Sequence, residues 1–446
     1  MKSLLKTRMF FCFVIFYTGA AGATERLSFS TWRGIDAEFY QSIFSDYEAR
    51  TGTQIELVAF PSIEYESKLG QLLSSGNGPD IIHSRADWQV AKFSNFYLPI
   101  TESEIPGINS FPIGALDSMK GQGGLLYGVP FATQTFLILY NKTLFAQYGQ
   151  EEPQTWNDFL AICELFKKKG IIPLANGLGT PWHNEAIFGG LFPSSLGRRF
   201  EEDLREGRTN FRDPRFTNAL VKLYRMRSFL PTNYATLESS SAKDLFASAG
   251  AAMIVGGSFE LSDIQKRIIR LGKVHEVEID VFASPVENAS DQQLVATLYD
   301  GGFAINRKLT GTKQAAAIEF VHFLSSVEFA QPFSDTLLNI SPVPGVEIKN
   351  SLLKKISDMN HHSISYFGLC HFLTRNPQRS TLLKEMIYSF MTQEMRDDAT
   401  APGMNLRVIT QRAQAIGEAM TQEIQLKIAD YMPEQVAREW LNHHTD

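Results

Sequence analysis

The chain has 446 residues, 44% of them hydrophobic and 20% charged, which excludes a disordered chain and an integral membrane protein and gives enough length for two or three domains with cores of their own. Its 42 basic residues stand against 48 acidic ones, a formal charge of −6, with no long Lys/Arg run, so no nucleic-acid partner is expected.

Residues 1–23, MKSLLKTRMFFCFVIFYTGAAGA, pass from a basic start (Lys2, Lys6, Arg8) through an apolar run, Met9 to Tyr17, to small residues ending in Ala21-Gly22-Ala23. This order predicts a secretory signal peptide cleaved after Ala23, because the apolar run is far short of the ~20 residues a membrane-spanning helix needs. Cys12 lies inside that run, not after it, so a soluble exported protein without a lipid anchor is expected. Export permits disulfides, but the surroundings of Cys163 (Leu160-Ala161-Ile162) and Cys370 favour two buried thiols over a bridge. No Cys-x-x-Cys or His-Glu-x-x-His spacing occurs, so no metal and no cofactor are expected. His361-His362 and His443-His444 read as surface pairs.

From Arg26 to Trp32 the sequence alternates as a strand, and a loop follows at Arg33-Gly34-Ile35-Asp36. Phe39, Ile43, Phe44 and Tyr47 recur at helical spacing over Glu38 to Thr51, and Gly52 is the stop. Gln54 to Phe60 is a second strand, Ile63 to Ser75 a second helix, and Asp80 to His83 a third strand. Strands joined by such short helical connections pair in parallel through right-handed crossovers, so the fold class is α/β. Gly128 to Phe131 and Thr135 to Asn141 are further strands. Thr155 caps a helix running to Phe166, with Asp158 completing a capping box. Ile172 to Ala175, Ala251 to Gly256 and Gly302 to Asn306 continue as strands. Asp213 to Leu230 and Lys313 to Leu324 continue as helices. The chain from Ser380 onward reads as helical, broken at Ala401-Pro402-Gly403 and at Pro433. No low-complexity linker occurs, so two lobes would be joined by short strands.

Several segments, in this order, resemble the sugar-handling solute-binding receptors of bacterial ABC importers. They are LSFSTWRG (27–34), FSDYEARTGTQIE (44–56), SSGNGPDII (74–82), YGVPFATQTFLILYNKTLFAQYG (127–149), EEPQTWNDFLAICELFKKKGIIPLANG (151–177), FASAGAAMIVGGSFEL (246–261) and YDGGFAINRKLTGTKQAAAIEFVHFLSSVEFAQPF (299–333). The resemblance covers most of the chain beyond residue 23 and is less clear after about Pro344. It implies a two-lobed periplasmic-binding-protein fold of class II, with the ligand in a cleft between lobes joined by hinge strands. The lobes would be 24–133 with 301–345, and 134–300 with 346–446. It implies further a monomer in the periplasm that closes by hinge motion and delivers its ligand to the transmembrane permease subunits of an importer.

A sugar offers an apolar ring face and a rim of hydroxyls, so its site needs flat aromatics and planar polar groups at the carboxyl ends of parallel strands, where α/β sheets open their crevices. Trp32 ends the first strand, and the resemblance places a cleft-facing group there, with Arg33 and Asp36 as hydroxyl partners. His83 and Arg85 follow the third strand, whereas Asp80 reads as a structural turn residue and Trp88 as a core anchor. Trp182 stands in the stretch Gly177 to Asn184, read as a loop, where the family supplies a stacking aromatic. Phe259 follows Gly256-Gly257-Ser258 where relatives commonly carry Trp, so stacking is kept and an indole donor is lost. Tyr299, Asp300 and Gly301 precede a hinge strand, and Gln134 lies before the other.

Other functions were weighed against this. A glycosidase needs two paired carboxylates, and Asp36, Asp87, Asp300 and Glu260 are available but unpaired by sequence. Ser258 is no nucleophile elbow, because Glu260 stands where Gly-x-Ser-x-Gly needs glycine. Ser75-Gly76-Asn77-Gly78 lacks the Lys-Ser/Thr ending of a phosphate-binding loop. Arg33, Arg85 and His83 keep an acidic sugar or glycerol phosphate open beside a neutral sugar.

Overall fold

A computed structural model describes residues 25–205, 208–365, 381–392 and 406–427. The leader 1–23, Cys370, the breaks at Ala401-Pro402-Gly403 and Pro433, and His443-His444 lie outside the described residues.

Among the described residues eleven strands form two sheets: β1 (Arg26–Thr31), β2 (Gln54–Ala59), β3 (Ile81–Ser84), β4 (Val129–Pro130), β5 (Thr133–Asn141), β6 (Ile172–Leu174), β7 (Ala251–Gly257), β8 (Ile279–Phe282), β9 (Val295–Tyr299), β10 (Gly302–Ile305) and β11 (Ser363–Ser365). The first sheet runs β2-β1-β3-β10-β4, and the second runs β11-β9-β5-β7-β6 with β8 beside β5. β1 lies parallel to both β2 and β3, as the short helical crossovers require. β10, which arrives from the second lobe, runs antiparallel between β3 and β4. The two-lobed class II architecture expected from the sequence is the one observed.

β1 is paired on both edges, and its Phe29 ring sits 5.0 Å from Phe44 and 5.5 Å from Tyr40. Those two rings come from the helix Ala37–Thr51, which ends on Gly52 at φ 78° with its N–H donating to Glu48 O. The second lobe's core gathers Phe136, Ile138, Trp156, Phe159, Phe188 and Met253 between the second sheet and the helices Trp156–Lys168 and Pro181–Leu191. Cys163 is a buried free thiol in this core.

Among the described residues three stretches of chain cross between the sheets. β4 leads into β5 through Phe131-Ala132, and β9 leads into β10 through Asp300-Gly301. Beyond the helix Val327–Leu337, Ile340 bridges back to Thr133, while Leu338, Ile340 and the helix Ser351–Asn360 join a core around β5 and β7. The pairings fix the direction of every strand. β1, β2 and β3 end, and β10 begins, on the edge of the first sheet nearest the crossings. β6, β7 and β9 end, and β5 begins, on the facing edge of the second.

Two differences from the sequence reading matter for the site. β8, β9 and β11 were not expected as strands. They are short, and β9 ends only two residues before β10 begins. The stretch carrying Trp182 is not all loop: Pro181 occupies the first position of the helix Pro181–Leu191, where its fixed φ and missing N–H cost nothing, so Trp182 stands in a first helical turn. After residue 380 the described chain forms two helices, Thr381–Thr392 and Leu406–Lys427.

Candidate functional site

The strand directions bring the eleven candidate residues to the two facing sheet edges or to the crossings between them. Arg33 is the centre of a polar cluster. Its Nε contacts Asp36 and its Nη1 donates to Asp300 Oδ2 at 3.2 Å, with Arg33 and Asp36 side chains only 7% and 5% exposed. Burial opposes the Arg33 charge, but Asp36 first and Asp300 second outweigh it and hold the guanidinium above the ordinary arginine range. Burial pushes the Asp300 carboxyl up, against the pull of Arg33 and Arg85.

The cluster continues through the other crossings. Fully buried Gln134 donates from Nε2 to Asn339 Oδ1 (2.7 Å) and to Asp300 Oδ2 (3.4 Å), and its Oε1 accepts from Ser258 Oγ (2.9 Å). Thr135 N–H donates to the same Ser258 Oγ at 3.1 Å. One connected set of side chains therefore spans the first lobe (Arg33), all three crossings (Gln134, Asp300, Asn339) and the second lobe (Ser258). Gly301 lets the crossing fit: its φ is 135°, and a Cβ would lie 2.1 Å from Ser84 O. Sequence reasoning missed Asn339 and Ser258, because each is a short polar residue whose only mark is a partner more than 120 residues away.

On the first lobe's edge, Trp32 is 8% exposed, with the His83 ring 4.1 Å from its centre and the Arg85 guanidinium carbon 4.6 Å away. It thus presents little face to the cleft. Arg85 also donates to Ser62 Oγ at 2.7 Å. His83 is fully buried, its Nδ1 2.9 Å from Thr31 Oγ1, and burial first and then Arg33 and Arg85 drive its pKa well below the ordinary imidazole value. Asp80 accepts from the Ser28 N–H and hydroxyl and pairs with Lys313, tying β1 to the start of β3, a structural role.

On the second lobe's edge, Trp182 is 38% exposed and lies 5.7 Å from the half-buried Phe259 at an interplanar angle of 48°. Gly256 and Gly257 permit the turn after β7, since a Cβ on them would meet Glu260 Oε2 at 2.1 Å and the Phe259 ring at 2.0 Å. Behind the aromatic pair, buried His183 touches the Trp182 ring and places Nε2 2.7 Å from Ser239 Oγ and 3.3 Å from Glu260 Oε1. Burial raises the Glu260 carboxyl, but His183 and then Lys243 outweigh it and hold the pKa below the ordinary value.

Between the lobes lies a cavity of about 380 Å³, walled by Asp87, Gly114, Asp117 and Ser118 on one side and by 297–299 and 363–365 on the other. Gly114 packs on Tyr299, whose ring would be 3.0 Å from a Cβ there. Of the candidate residues only Tyr299 lines this cavity, and burial raises its phenol pKa. Among the described residues no group of three His, Cys, Asp or Glu side chains could hold a metal ion, and no helix is long and apolar enough to cross a membrane.

The family model described as "Bacterial extracellular solute-binding protein" matches residues 32–331. Among curated proteins, the chain is 23% identical over 236 residues to an uncharacterized ABC transporter extracellular-binding protein of Pyrococcus horikoshii, covering 51% of this chain and 55% of that one. It is 24% identical over 242 residues to the multiple sugar-binding protein of Streptococcus mutans, covering 52% and 56%. The chain thus spans about half the length of these relatives. Among solved structures, a chitin oligosaccharide binding protein superposes with a TM-score of 0.70 at 18% identity, over 90% of this chain and 100% of that one. The solute receptor AcbH, described as preferring β-D-galactopyranose, superposes at 0.71 and 17% identity with the same coverage. At these identities the structures speak for the two-lobed fold, and the family match spans more than half of the sequence: the chain belongs to the bacterial extracellular solute-binding proteins.

Proposed function

We propose that this chain is the receptor of an ABC importer, that it holds a sugar or oligosaccharide between its lobes, closes on it by hinge motion and presents it to membrane permease subunits. The observation that carries this is the make-up of the facing sheet edges. A tilted aromatic pair, exposed Trp182 and half-buried Phe259, stands on one lobe, and planar polar groups (Arg33, Asp36, Asp300, Gln134) stand at or beside the crossings. Flat apolar faces and fixed donors and acceptors are what a pyranose requires. Trp32, His83, Arg85, Tyr299 and Gly301 complete the proposed site. In this reading the lobes are 24–133 with 301–345 and 134–300 with 346–446, the leader 1–23 directs export to the periplasm, and the receptor works as a monomer. The names carried by relatives, multiple sugar-binding protein and maltotriose-binding protein, support a sugar.

A hydrolytic alternative meets a geometric obstacle. Ser239, His183 and Glu260 come together, but the serine and the carboxylate both approach Nε2, and Nδ1 has no hydrogen-bond partner among the described residues. A relay needs the nucleophile on one ring nitrogen and the carboxylate on the other.

The test is a thermal-midpoint panel on the refolded chain from Thr24, using mono-, di- and oligosaccharides, uronic acids, polyols and glycerol phosphate. A ligand at a hundred times its Kd adds about 2.7 kcal/mol of stability, a shift of several degrees. Midpoints unmoved by every sugar in the panel would sink the reading, as would hydrolysis products after incubation with oligosaccharides.

A further inference from the structure

We infer that the buried His183–Glu260 pair is the positioning element of the proposed sugar platform: it fixes the ring of Trp182 against Phe259 and so sets how tightly that face holds a pyranose. This rests on the sugar-receptor reading and adds to it two residues that would not touch the sugar. The four side chains form two couples from neighbouring positions in the chain. Trp182 and Phe259 are the outer couple, with ring centres 5.7 Å apart. His183 and Glu260 are the inner couple, with Nε2 3.3 Å from Oε1 and side chains 0% and 2% exposed. The His183 ring meets Trp182 edge to face with centres 3.9 Å apart, so a shift of the imidazole moves the indole's support.

The inner residues are held from several sides. Glu260 Oε2 lies within 2.1 Å of where a Cβ on Gly256 would stand, and the Phe259 ring within 2.0 Å of one on Gly257, so both side chains are seated on bare glycines. His183 Nε2 also lies 2.7 Å from Ser239 Oγ, at the start of the helix Ser239–Ala247. Lys243, one turn along that helix, stands 3.7 Å from Glu260 and 2.6 Å from Asp263. Against the push of burial, His183 and then Lys243 hold the Glu260 carboxyl below its ordinary value, so it stays a carboxylate and the ring nitrogen facing it carries the proton. The backbone leading to Trp182 is secured separately, since Gly179 N–H donates to Leu237 O and Ser239 N–H donates to Thr180 Oγ1, each at 3.0 Å. A buried ion pair often stabilises a fold no more than apolar residues of equal volume do. What this pair adds is direction, because an imidazole anchored through Nε2 has one orientation where an aliphatic side chain has several rotamers.

The first readout needs no sugar. In the full chain, the near-ultraviolet circular dichroism of Trp182 is the spectrum of each protein minus that of the same protein carrying Trp182→Phe, and a ring without fixed packing loses this signal. His183→Leu and Glu260→Gln should each lose most of it, while His183→Gln, whose amide nitrogen can take the place of Nε2, should keep it. Glu260→Gln is the milder change, because Lys243 keeps Asp263 as a partner, and it decides alone if His183→Leu does not fold. The second readout is calorimetric affinity for whichever sugar of the panel above raises the melting midpoint most. Glu260→Gln should weaken it about threefold or more, yet add nothing once Trp182 is alanine, the non-additivity of residues that act through one contact. An undiminished Trp182 signal in the folded variants overturns the inference. So does a loss of affinity in Glu260→Gln that is the same with and without Trp182, which marks the pair as merely structural. If no sugar binds the folded parent, the receptor reading falls and takes the affinity half of this inference with it, while the Trp182 signal still decides whether the pair fixes the ring.

Discussion

Arg33 joins two carboxylates, the buried Asp36 and the partly buried Asp300, because both lie against its guanidinium. Removing one partner of a buried ion pair leaves an uncompensated charge, which costs about 3–5 kcal/mol. Arg33→Met should therefore lower the urea midpoint by that order, and a midpoint within experimental error of the parent would show that the cluster contributes little. Trp182 gives the opposite pattern. It is partly exposed, so Trp182→Ala should leave the melting midpoint nearly unchanged while weakening sugar binding about tenfold, an anchor-sized loss readable by calorimetry. His83 makes stability depend on pH with a definite sign. The unfolded imidazole takes up a proton near pH 6.5, the native one only well below that. Below pH 6.5 the unfolded state thus binds more protons, and stability falls with pH by up to about 1.4 kcal/mol per unit. Asp300, shifted upward, acts with the opposite sign over part of the same range, so the comparison must be with a variant. Between about pH 7.5 and 5 the parent should lose more stability than His83→Gln. Equal losses would mean that the native ring protonates as freely as the unfolded one.

Elements differ in how plainly their own residues announce them. The helix Trp156–Lys168 is readable letter by letter: Thr155 Oγ1 accepts from Asp158 N–H at 3.2 Å, and Asp158 Oδ2 accepts from Thr155 N–H at 2.9 Å, the reciprocal box that the spacing implies. The helix Pro181–Leu191 is less plain, because its first turn lies in the stretch Gly177 to Asn184 that reads as a loop and two glycines, Gly189 and Gly190, stand near its end. The structure gives the reason for one of these glycines: a Cβ on Gly190 would lie 2.4 Å from Val255 Cγ1 and 3.1 Å from Leu137 O, so the helix rides flush on β5 and β7. Local rules rank glycine as a helix fault, and here close packing overrides them. Gly190→Ala should cost about 1–3 kcal/mol as an overpacked core. It should also weaken sugar binding, since the displaced helix carries Trp182. A loss of stability with affinity untouched would separate that helix from the ligand. The candidate site was legible to a similar depth. Residues beside strand ends (Trp32, His83, Phe259, Asp300) could be set next to those strands from the apolar runs and turn residues, while a place facing the cleft came from the family resemblance. Asp117 and Asn339 could not, because nothing local marks the face that a distant strand will cover.

At the scale of the whole molecule, the proposed hinge motion requires the crossings to hold the lobes while letting them turn. The three crossings are stitched by Gln134, which donates to Asn339 and Asp300 and accepts from Ser258, with no exposed surface of its own. Hydrogen bonds at a hinge resist shear between the crossings yet permit the few backbone angles on either side to rotate. Leu338 already takes the left-handed region, at φ 53° and ψ 49°, beside Asn339 in the third crossing. Gln134→Ala would strand a buried amide oxygen on Asn339 and remove the partner of the Ser258 hydroxyl, a loss of about 1–3 kcal/mol for each group left unpaired. The expected result is a lower midpoint with the fold retained. Small-angle scattering should then show a radius of gyration that shrinks on ligand binding in the parent. In Gln134→Ala the ligand-free radius should differ from the parent's while the ligand-bound radius agrees, because the ligand's own bridging contacts set the closed state. If the parent's scattering is the same with and without a ligand that calorimetry shows to be bound, the crossings are a rigid joint and closure by hinge motion is wrong. If the variant matches the parent in both states, the Gln134 cluster stabilises the crossings without setting the angle between the lobes.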